Sequence, residues 1–375
     1  MNQKGLSEKD VLSMLDTARS KDTSYEKVLS AMCTRPHPVA VKAHMQFIES
    51  NLGDFGLFQG TKELEEKVIA LMGGLLGDPN SCGYITTGGT ESNIQALRTA
   101  RNLAGKKYPN VIVPSSAHFS FDKVADLLGI EVRKADLDSD FKVDIGSVES
   151  LIDDNTAALV GIAGSTEFGQ IDLIDKLAEL ALSHDIFLHV DAAFGGFVIP
   201  FLDKKYAFDF SVRGVSSITS DPHKMGLSTI PAGGLLFREE ACLLPLEIDT
   251  PYLTIRKQHS LTGTRSGAAV AATYAVMLYL GMEGYRKIVG NCMKLTHRLV
   301  EEVQEFGITP LIDPVMNIVA LDVPDLDNIR KRLRARGWFT SITRSPRAMR
   351  LVLMPHLSDE ALTRFISDLR ECLRD

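Results

Sequence analysis

The stretch I-F-L-H-V-D-A-A-F-G-G, residues 186–196, decides the fold. An apolar run ends on Asp191, and two alanines and two glycines follow within five residues. A carboxylate at the end of a buried strand is typical of the carboxyl edge of a parallel sheet, where α/β proteins bind ligands. Burying a carboxylate is costly unless a positive group meets it. We therefore expect the partner of Asp191 to be a cation of the protein or of a ligand.

Similar apolar runs on both sides of this stretch predict further strands, and several are separated by helical periodicity such as that of 172–184. The other runs are 110–114, 130–135, 157–164, 215–219 and 233–237. Strands that alternate with helices favour an α/β fold with a mainly parallel sheet covered by helices on both faces.

The chain after residue 265 has a different pattern. A long helical stretch, 265–306, precedes two apolar runs and a final helical pattern near 358–373. This order indicates a smaller C-terminal α+β domain. We divide the chain into an N-terminal helical segment (1–50), a large domain (51–285) and a small domain (286–375).

Composition excludes several classes of function. The 375 residues are 45% hydrophobic and 24% charged, as in an ordinary globular protein, and the net charge of −7 argues against nucleic acid as a partner. The N-terminus lacks the apolar core of a signal peptide, and no run of 18 apolar residues suggests a membrane span. The five cysteines are scattered and odd in number, which favours the cytoplasm and gives no support to a metal site.

A lysine follows the next predicted strand. The sequence D-P-H-K, 221–224, comes directly after the run 215–219, 33 positions beyond Asp191 (224 − 191). A solvated turn lysine is the simplest interpretation of Lys224 taken alone. If the two strands are neighbours, however, Lys224 and Asp191 reach the same edge of the sheet.

Two further segments suggest what these charges bind. Gly88, Gly89 and Thr90 precede a helical pattern, and a helix N-terminus with bare backbone N–H groups suits a phosphate, although a simple turn into a helix explains the same residues. His118 begins another helical pattern, where it is either a cap or a ring that stacks on a flat ligand. A phosphate site, a stacking ring, an edge carboxylate and a lysine amine together meet the requirements of pyridoxal phosphate.

These motifs resemble the group II pyridoxal-phosphate decarboxylases, and within them the archaeal L-tyrosine/L-aspartate decarboxylases. The resemblance rests on NLGDFGLFQGTKELEEKVIALMGGLL, TTGGTESN, AHFSFDK, GIAGSTEFGQID, HVDAAFGGFVIPFL, DPHKMG, DTPYLT and RLVLMPH, which extend over about 45–373. It implies the pyridoxal-phosphate transferase fold type I, with a seven-stranded, mainly parallel sheet. It also implies a homodimer whose subunits share their active sites.

The resemblance further implies roles by position. Lys224 would form the Schiff base, Asp191 would pair with the pyridine nitrogen, and His118 and Ala193 would lie on the two faces of the ring. Thr166 would hydrogen-bond near the ring hydroxyl. The phosphate contacts would come from Gly89, Thr90, Ser220 and His223, with Thr262 and Gly263 from across the dimer. At position 221 this chain differs from some members of the family, which have asparagine where it has Asp221.

The implied reaction is loss of carbon dioxide from an L-amino acid, with Tyr252 or His223 returning a proton to Cα. Arg350 would receive the substrate carboxylate. Phe55 and Phe58 would line an aromatic pocket, which favours L-tyrosine, giving tyramine for methanofuran biosynthesis.

Other readings of the sequence remain open. A second carboxylate bound by Arg350 and Arg344 would instead favour L-aspartate, giving β-alanine for coenzyme A biosynthesis. Two alternatives from other classes are a lyase similar to the sphingosine phosphate lyases, which usually carry a membrane segment, and a non-catalytic scaffold.

Overall fold

A seven-stranded sheet forms the centre of the computed structural model, which describes residues 3–374. The strands are β1 (Cys82–Thr86), β2 (Asn110–Pro114), β3 (Glu131–Ala135), β4 (Thr156–Ile162), β5 (Phe187–Asp191), β6 (Val215–Ser220), β7 (Gly233–Phe237), β8 (Ile248–Asp249), β9 (Lys257–Gln258), β10 (Thr309–Pro310), β11 (Ile318–Asp322), β12 (Ser341–Ile342) and β13 (Met349–Val352). The helices are α1 (Glu8–Arg19), α2 (Pro38–Gln46), α3 (Gln59–Leu75), α4 (Gly89–Ala104), α5 (Ser120–Leu128), α6 (Ile145–Leu151), α7 (Ile174–Ser183), α8 (Gly267–Gln304), α9 (Leu326–Ala335) and α10 (Asp359–Arg374).

The large sheet has the order β1-β7-β6-β5-β4-β2-β3. Every neighbouring pair from β6 to β3 is parallel, whereas β7 runs antiparallel to β1 and β6. Parallel neighbours need a crossover connection; α5 supplies it between β2 and β3 and α7 between β4 and β5, whereas α6 leads from β3 past β2 to β4. Residues 221–232 join β6 to β7 without a helix, so these two strands can pair antiparallel. The predicted mainly parallel sheet is confirmed.

The register of the central strands places the chemistry-bearing residues together. Ile162, Asp191 and Thr219 lie side by side at the carboxyl ends of β4, β5 and β6. Lys224 follows the end of β6 by four residues (224 − 220). The expected approach of Asp191 and Lys224 to one sheet edge is therefore confirmed.

Below this edge the central strands carry buried apolar side chains. Leu159, Leu188 and Ile218, one on each central strand, are fully buried. Each such side chain contributes about 1.5–3 kcal/mol of burial free energy, which holds the strand ends in place.

A second, four-stranded antiparallel sheet, β10-β11-β13-β12, forms the smaller C-terminal domain. Its core includes Trp338, Leu351 and Phe365, the last from α10. Leu29 is buried in the same core, and Val28 pairs in parallel with Phe339. Part of the N-terminal segment thus packs on this domain, which carries residues 30–33 toward the edge of the large sheet.

Helix α8 connects the two parts, as the helical periodicity of 265–306 predicts. It packs on α2, α3 and α10, with Gly267 in its first half close to Thr61 of α3 and Arg298 in its second half bonded to Thr363 of α10. Gly281, with φ 54°, interrupts the helix between the halves. No helix between residues 3 and 374 is both long enough and apolar enough to span a membrane.

Candidate active site

Asp191 is buried at the end of β5, with 7% of its surface exposed. Its Oδ1 accepts a hydrogen bond from the backbone N–H of Ala193 at 3.0 Å, and its Oδ2 accepts one from Nδ2 of Asn93 at 2.9 Å. These donors stabilise the negative charge and fix the rotamer. The carboxylate lines a cavity of about 290 Å³ at the carboxyl edge of the sheet.

Lys224 lines the same cavity. Its Nζ lies 3.1 Å from Oδ2 of Asp221. Burial disfavours the charged form of the amine, but the negative charges of Asp221 and Asp191 outweigh this and raise the pKa of Lys224 above its usual range. The acid at 191 and the amine at 224 therefore face one space and act on each other electrostatically.

The start of α4 forms another wall of this cavity. Gly88 has φ 150°, a conformation that favours glycine, and a Cβ there would lie 3.0 Å from the ring of His223. A Cβ on Gly89 would lie 2.9 Å from Oδ2 of Asp221. The two glycines thus let His223 and Asp221 approach the N-terminus of a 16-residue helix, where backbone N–H groups and the helix dipole favour an anion.

Asp221 lies beside this predicted phosphate site. Its Oδ2 accepts the N–H of Gly89 at 3.1 Å, while its Oδ1 is buried without a hydrogen-bond partner in the described residues. Because this chain has aspartate where some relatives have asparagine, a negative charge lies next to the glycine turn.

Ser116 is a buried group that the sequence reasoning missed. It lines the cavity, and its Oγ has no partner among residues 3–374. Buried hydroxyls usually have one. An orphaned hydroxyl facing the cavity fits a polar ligand such as the pyridoxal ring, together with the glycine turn.

The two residues predicted to lie on the faces of the ring are near the glycine turn. His118 and Ala193 both line the cavity. Nδ1 of His118 accepts the N–H of Ser120 at 3.2 Å, and burial lowers the pKa of this histidine, which favours the neutral ring. A neutral imidazole suits stacking on a flat heterocycle.

Arg350 is a buried cation immediately behind the cavity wall. Burial lowers the pKa of this guanidinium to about 10. Its contacts are the carbonyl of Thr166, the carbonyl of Ser30 at 3.1 Å, Oγ of Ser341 at 3.0 Å and Sδ of Met32 at 2.7 Å. Thr166 and Met32 line the cavity, so Arg350 supplies positive charge to that wall.

Arg344 is placed differently. Its guanidinium forms an ion pair with Glu167, which also accepts the Arg344 backbone N–H at 2.8 Å. This arginine is already neutralised, and it does not line the cavity. The structure thus offers one arginine near the cavity, rather than two.

The structure brings most of the sequence-predicted residues to one cavity, but not all of them. The cavity includes Gly89, Thr90, His118, Thr166, Asp191, Ala193, His223 and Lys224. The residues outside it are Phe55, Phe58, Ser220, Tyr252, Thr262, Gly263 and Arg350, the last of which lies behind the wall formed by Thr166 and Met32. The hydroxyl of Ser220 lies under Gly196, where a Cβ would come within 2.2 Å of it, and it has no hydrogen-bond partner in the described residues. Its phosphate contact stays a prediction.

Tyr252, Phe55 and Phe58 belong to two loops that contact each other. Thr254 hydrogen-bonds to Asp54, and a Cβ on Gly53 would lie 2.0 Å from the carbonyl of Gly263. The side chain of Tyr252 is 87% exposed. The roles of these three aromatic residues remain predictions.

An amine and an acid at one sheet edge, a glycine turn into a helix and a histidine wall define a class: the pyridoxal-phosphate enzymes of fold type I. Residues 59–320 match the pyridoxal-dependent decarboxylase conserved domain. The chain belongs to this family of pyridoxal-dependent decarboxylases. Its cofactor is pyridoxal 5′-phosphate, and it is a carboxy-lyase.

Individual relatives agree with this assignment. The chain is 59% identical, over 99% of its length and 98% of the relative's, to a probable L-tyrosine/L-aspartate decarboxylase of Methanosarcina mazei. It is 53% identical, over 97% of its length and all of the relative's, to a probable L-aspartate decarboxylase of Archaeoglobus fulgidus. Among solved structures, a sphingosine-1-phosphate lyase of Burkholderia pseudomallei matches all of this chain and 92% of its own, with a TM-score of 0.93 and 28% identity.

Proposed function

We propose that the chain decarboxylates L-tyrosine to tyramine, for methanofuran biosynthesis, at the cavity that contains Lys224 and Asp191. The observation that carries the proposal is the presence of these two groups in one cavity with the α4 N-terminus and His118. We choose L-tyrosine because of the number of arginines that are free to bind a substrate carboxylate. Arg344 is neutralised by Glu167, which leaves Arg350 for a single carboxylate.

The proposed roles follow from the surroundings of each group. Bound pyridoxal phosphate supplies an electron sink for the pair of the Cα–carboxylate bond as carbon dioxide leaves. Lys224 provides the amine that holds the cofactor covalently, and Asp191 holds a proton at the ring nitrogen, a charge arranged before the reaction. His118 and Ala193 exclude water from the two ring faces.

The proton returned to Cα comes from Tyr252 or His223. His223 already lines the cavity, and burial lowers its pKa. Tyr252 is exposed and lies on residues 250–256, the loop that the β8–β9 pair closes. Tyr252→Phe separates the two donors. If Tyr252 acts, the amine yield falls and a carbonyl by-product appears together with an equal amount of the amine form of the cofactor, which takes up the two electrons and the amino group. An unchanged amine yield assigns the step to His223.

L-Aspartate is the second candidate, and the name of the Archaeoglobus fulgidus relative favours it. Side-by-side turnover of L-tyrosine and L-aspartate by the purified, cofactor-loaded enzyme decides between them. We expect kcat/KM for L-tyrosine to be the larger by at least about tenfold, which is 1.4 kcal/mol of transition-state binding. A larger value for L-aspartate would refute the proposal, and Lys224→Ala is the inactive control.

We also propose that the active enzyme is a cytoplasmic homodimer. Helix α1 has no buried residue, although Val11, Leu12, Met14 and Leu15 lie on it with 42–62% exposure. On α8, Leu278 is also an exposed apolar side chain. An apolar surface of this kind favours burial against a second copy.

Subunit mixing tests whether the site is shared. If Tyr252 reaches the partner's cavity, inactive Lys224→Ala chains mixed with inactive Tyr252→Phe chains regain up to about a quarter of wild-type turnover per dimer site, by random pairing. No recovery, in a mixture shown by mass measurement to contain mixed dimers, would place Tyr252 at its own subunit's site.

A further inference from the structure

A chain of hydrogen-bonded, buried polar side chains extends from Asp191 under the sheet edge, and of its members Asn93 alone lines the cavity. The chain comprises Asn93 on α4, His189 on β5, and Ser217 and Thr219 on β6. His189 is fully buried, and Asn93 is 1% exposed. Burying so many polar groups under a sheet edge is costly unless each one is hydrogen-bonded.

Every link in this chain is made. Nδ1 of His189 lies 2.8 Å from Oγ of Ser217, and its Nε2 lies 3.0 Å from Oδ1 of Asn93. Oδ1 of Asn93 also accepts the hydroxyl of Thr219 at 2.8 Å. Nδ2 of Asn93 donates to Oδ2 of Asp191 at 2.9 Å.

The chemistry of the groups determines which atom donates and which accepts in each of these hydrogen bonds. An ionised Asp191 can only accept, so the Asn93 atom that faces it must be the amide nitrogen. The amide oxygen then faces His189, whose Nε2 must carry the proton, and Nδ1 accepts from Ser217. Burial lowers the pKa of His189 to about 4, which is consistent with a neutral ring of this single tautomer.

We propose that Asn93 is a positioning residue for Asp191, and that His189, anchored by Ser217, fixes the orientation of the Asn93 amide. Within the described residues, the hydrogen bonds to the Asp191 carboxylate come from Asn93 and from the Ala193 N–H alone, one on each oxygen. Together they point the carboxylate at the cavity and hold it as an acceptor for a protonated ring nitrogen. This inference rests on the proposed role of Asp191.

The sequence contains a matched control. Asn110, also fully buried, donates from Nδ2 to Oδ1 of Asp153 at 2.7 Å, at the opposite end of the same sheet. Asn93→Leu and Asn110→Leu each remove one buried amide that donates to a carboxylate. Both variants lose a buried hydrogen bond, but only Asn93→Leu loses the contact with Asp191. Comparing them therefore separates a general loss of stability from the specific loss of the Asp191 contact.

The experiment uses holoenzyme loaded with pyridoxal phosphate that carries nitrogen-15 in the ring. Two quantities are measured for each variant: the ring-nitrogen chemical shift and the dissociation constant of the cofactor. For Asn93→Leu we expect the shift to move toward that of the neutral ring, as it does for Asp191→Asn. We expect the dissociation constant to rise about tenfold, in line with loss of a hydrogen bond to a charged group.

The control variant Asn110→Leu and the variant of the next residue in the hydrogen-bonded chain, His189→Leu, have their own expected results. Asn110→Leu keeps the wild-type shift and a dissociation constant within twofold, whatever its melting temperature. His189→Leu weakens cofactor binding about threefold, because Thr219 still holds the Asn93 oxygen, and adds nothing to Asn93→Leu in the double variant. If Asn93→Leu does not fold, Asn93→Ser, which is too short to reach Asp191, replaces it.

The possible failures are distinguishable. A wild-type ring-nitrogen shift in the Asn93 variants, with a displaced shift in Asp191→Asn, would overturn the positioning role and leave the proposed function intact. An unchanged shift in Asp191→Asn would overturn the proposed role of Asp191, and the inference with it. Equal effects of Asn93→Leu and Asn110→Leu would show that the chain serves stability alone.

Discussion

Replacing Asp221 by asparagine tests how the protein controls the amine at 224. The Asp221 carboxylate lies 3.1 Å from Lys224 Nζ, and it favours the charged ammonium form. Only the neutral amine attacks an aldehyde. Asp221→Asn removes the negative charge with little change of volume, so more of Lys224 is neutral at a given pH.

The size of the effect follows from the distance. Two unit charges 3.1 Å apart attract by about 5 kcal/mol at an effective dielectric constant of 20. This is a ceiling, because Asp191 continues to attract the ammonium and water reaches the partly exposed amine. If about a quarter of the ceiling survives, covalent attachment of pyridoxal phosphate at pH 7 becomes about tenfold faster, since 1.4 kcal/mol is a factor of ten.

The assay is stopped-flow absorbance of the cofactor-free enzyme mixed with pyridoxal phosphate, from pH 6 to 10. The wild-type rate rises with pH as Lys224 loses its proton, and in Asp221→Asn the same rise occurs at lower pH. Asp153→Asn is the matched control, because it breaks an ion pair with Arg133 at the opposite end of the sheet. Identical pH profiles for wild type and Asp221→Asn would refute the electrostatic account.

Three further predictions concern buried charge. In the native protein the Glu65 carboxylate lies 2.5 Å from the buried Arg265 guanidinium. Glu65→Gln removes this partner charge, so the free energy of unfolding measured in urea should fall by about 3–5 kcal/mol. A decrease below about 1 kcal/mol would contradict this expectation. Because burial lowers the pKa of His189 from 6.5 to about 4, the unfolded chain binds the extra proton, and this residue should remove about 3 kcal/mol of stability as pH falls from 6.5 to 4. Urea titrations of His189→Gln over that range should lack this component, and an unchanged slope would show that His189 is not the group. Arg350→Met should lower kcat/KM for the substrate about 10- to 100-fold through loss of a charge-assisted hydrogen bond, while Arg344→Met stays within about threefold; equal losses would refute the assignment.

The sequence alone predicts the sheet edge well, and the reason is local. An apolar strand that ends on Asp191, and another that ends shortly before Lys224, need only be neighbours for the two groups to meet. The register, with Asp191 opposite Thr219, makes them neighbours. Alternation of strands with helices requires such parallel pairing, so the fold and the central pair follow from the same pattern.

The contacts that depend on long-range packing could not be predicted in this way. Asn93 and His189 lie within quoted motifs, yet their hydrogen bond joins residues 96 positions apart. A partial signal existed: His189 and Asp191 are two positions apart on one strand and thus face the same side. Met32 had no signal, because it reaches the cavity only when the N-terminal segment packs on the small domain.

The distribution of buried charge explains why the cavity suits an amino acid held by a cationic ring. Asp191, Asp221 and Glu91 all line it, and Oε1 of Glu91 has no partner among the described residues. Positive charge comes from Lys224 and, behind Met32, from Arg350, which no carboxylate contacts within residues 3–374. A substrate carboxylate is therefore repelled from the acidic floor of the cavity and attracted to the wall in front of Arg350. Since the acidic floor and Arg350 lie on different domains, their relative placement orients the bond to be broken, and a shift of the small domain should alter kcat more than cofactor binding.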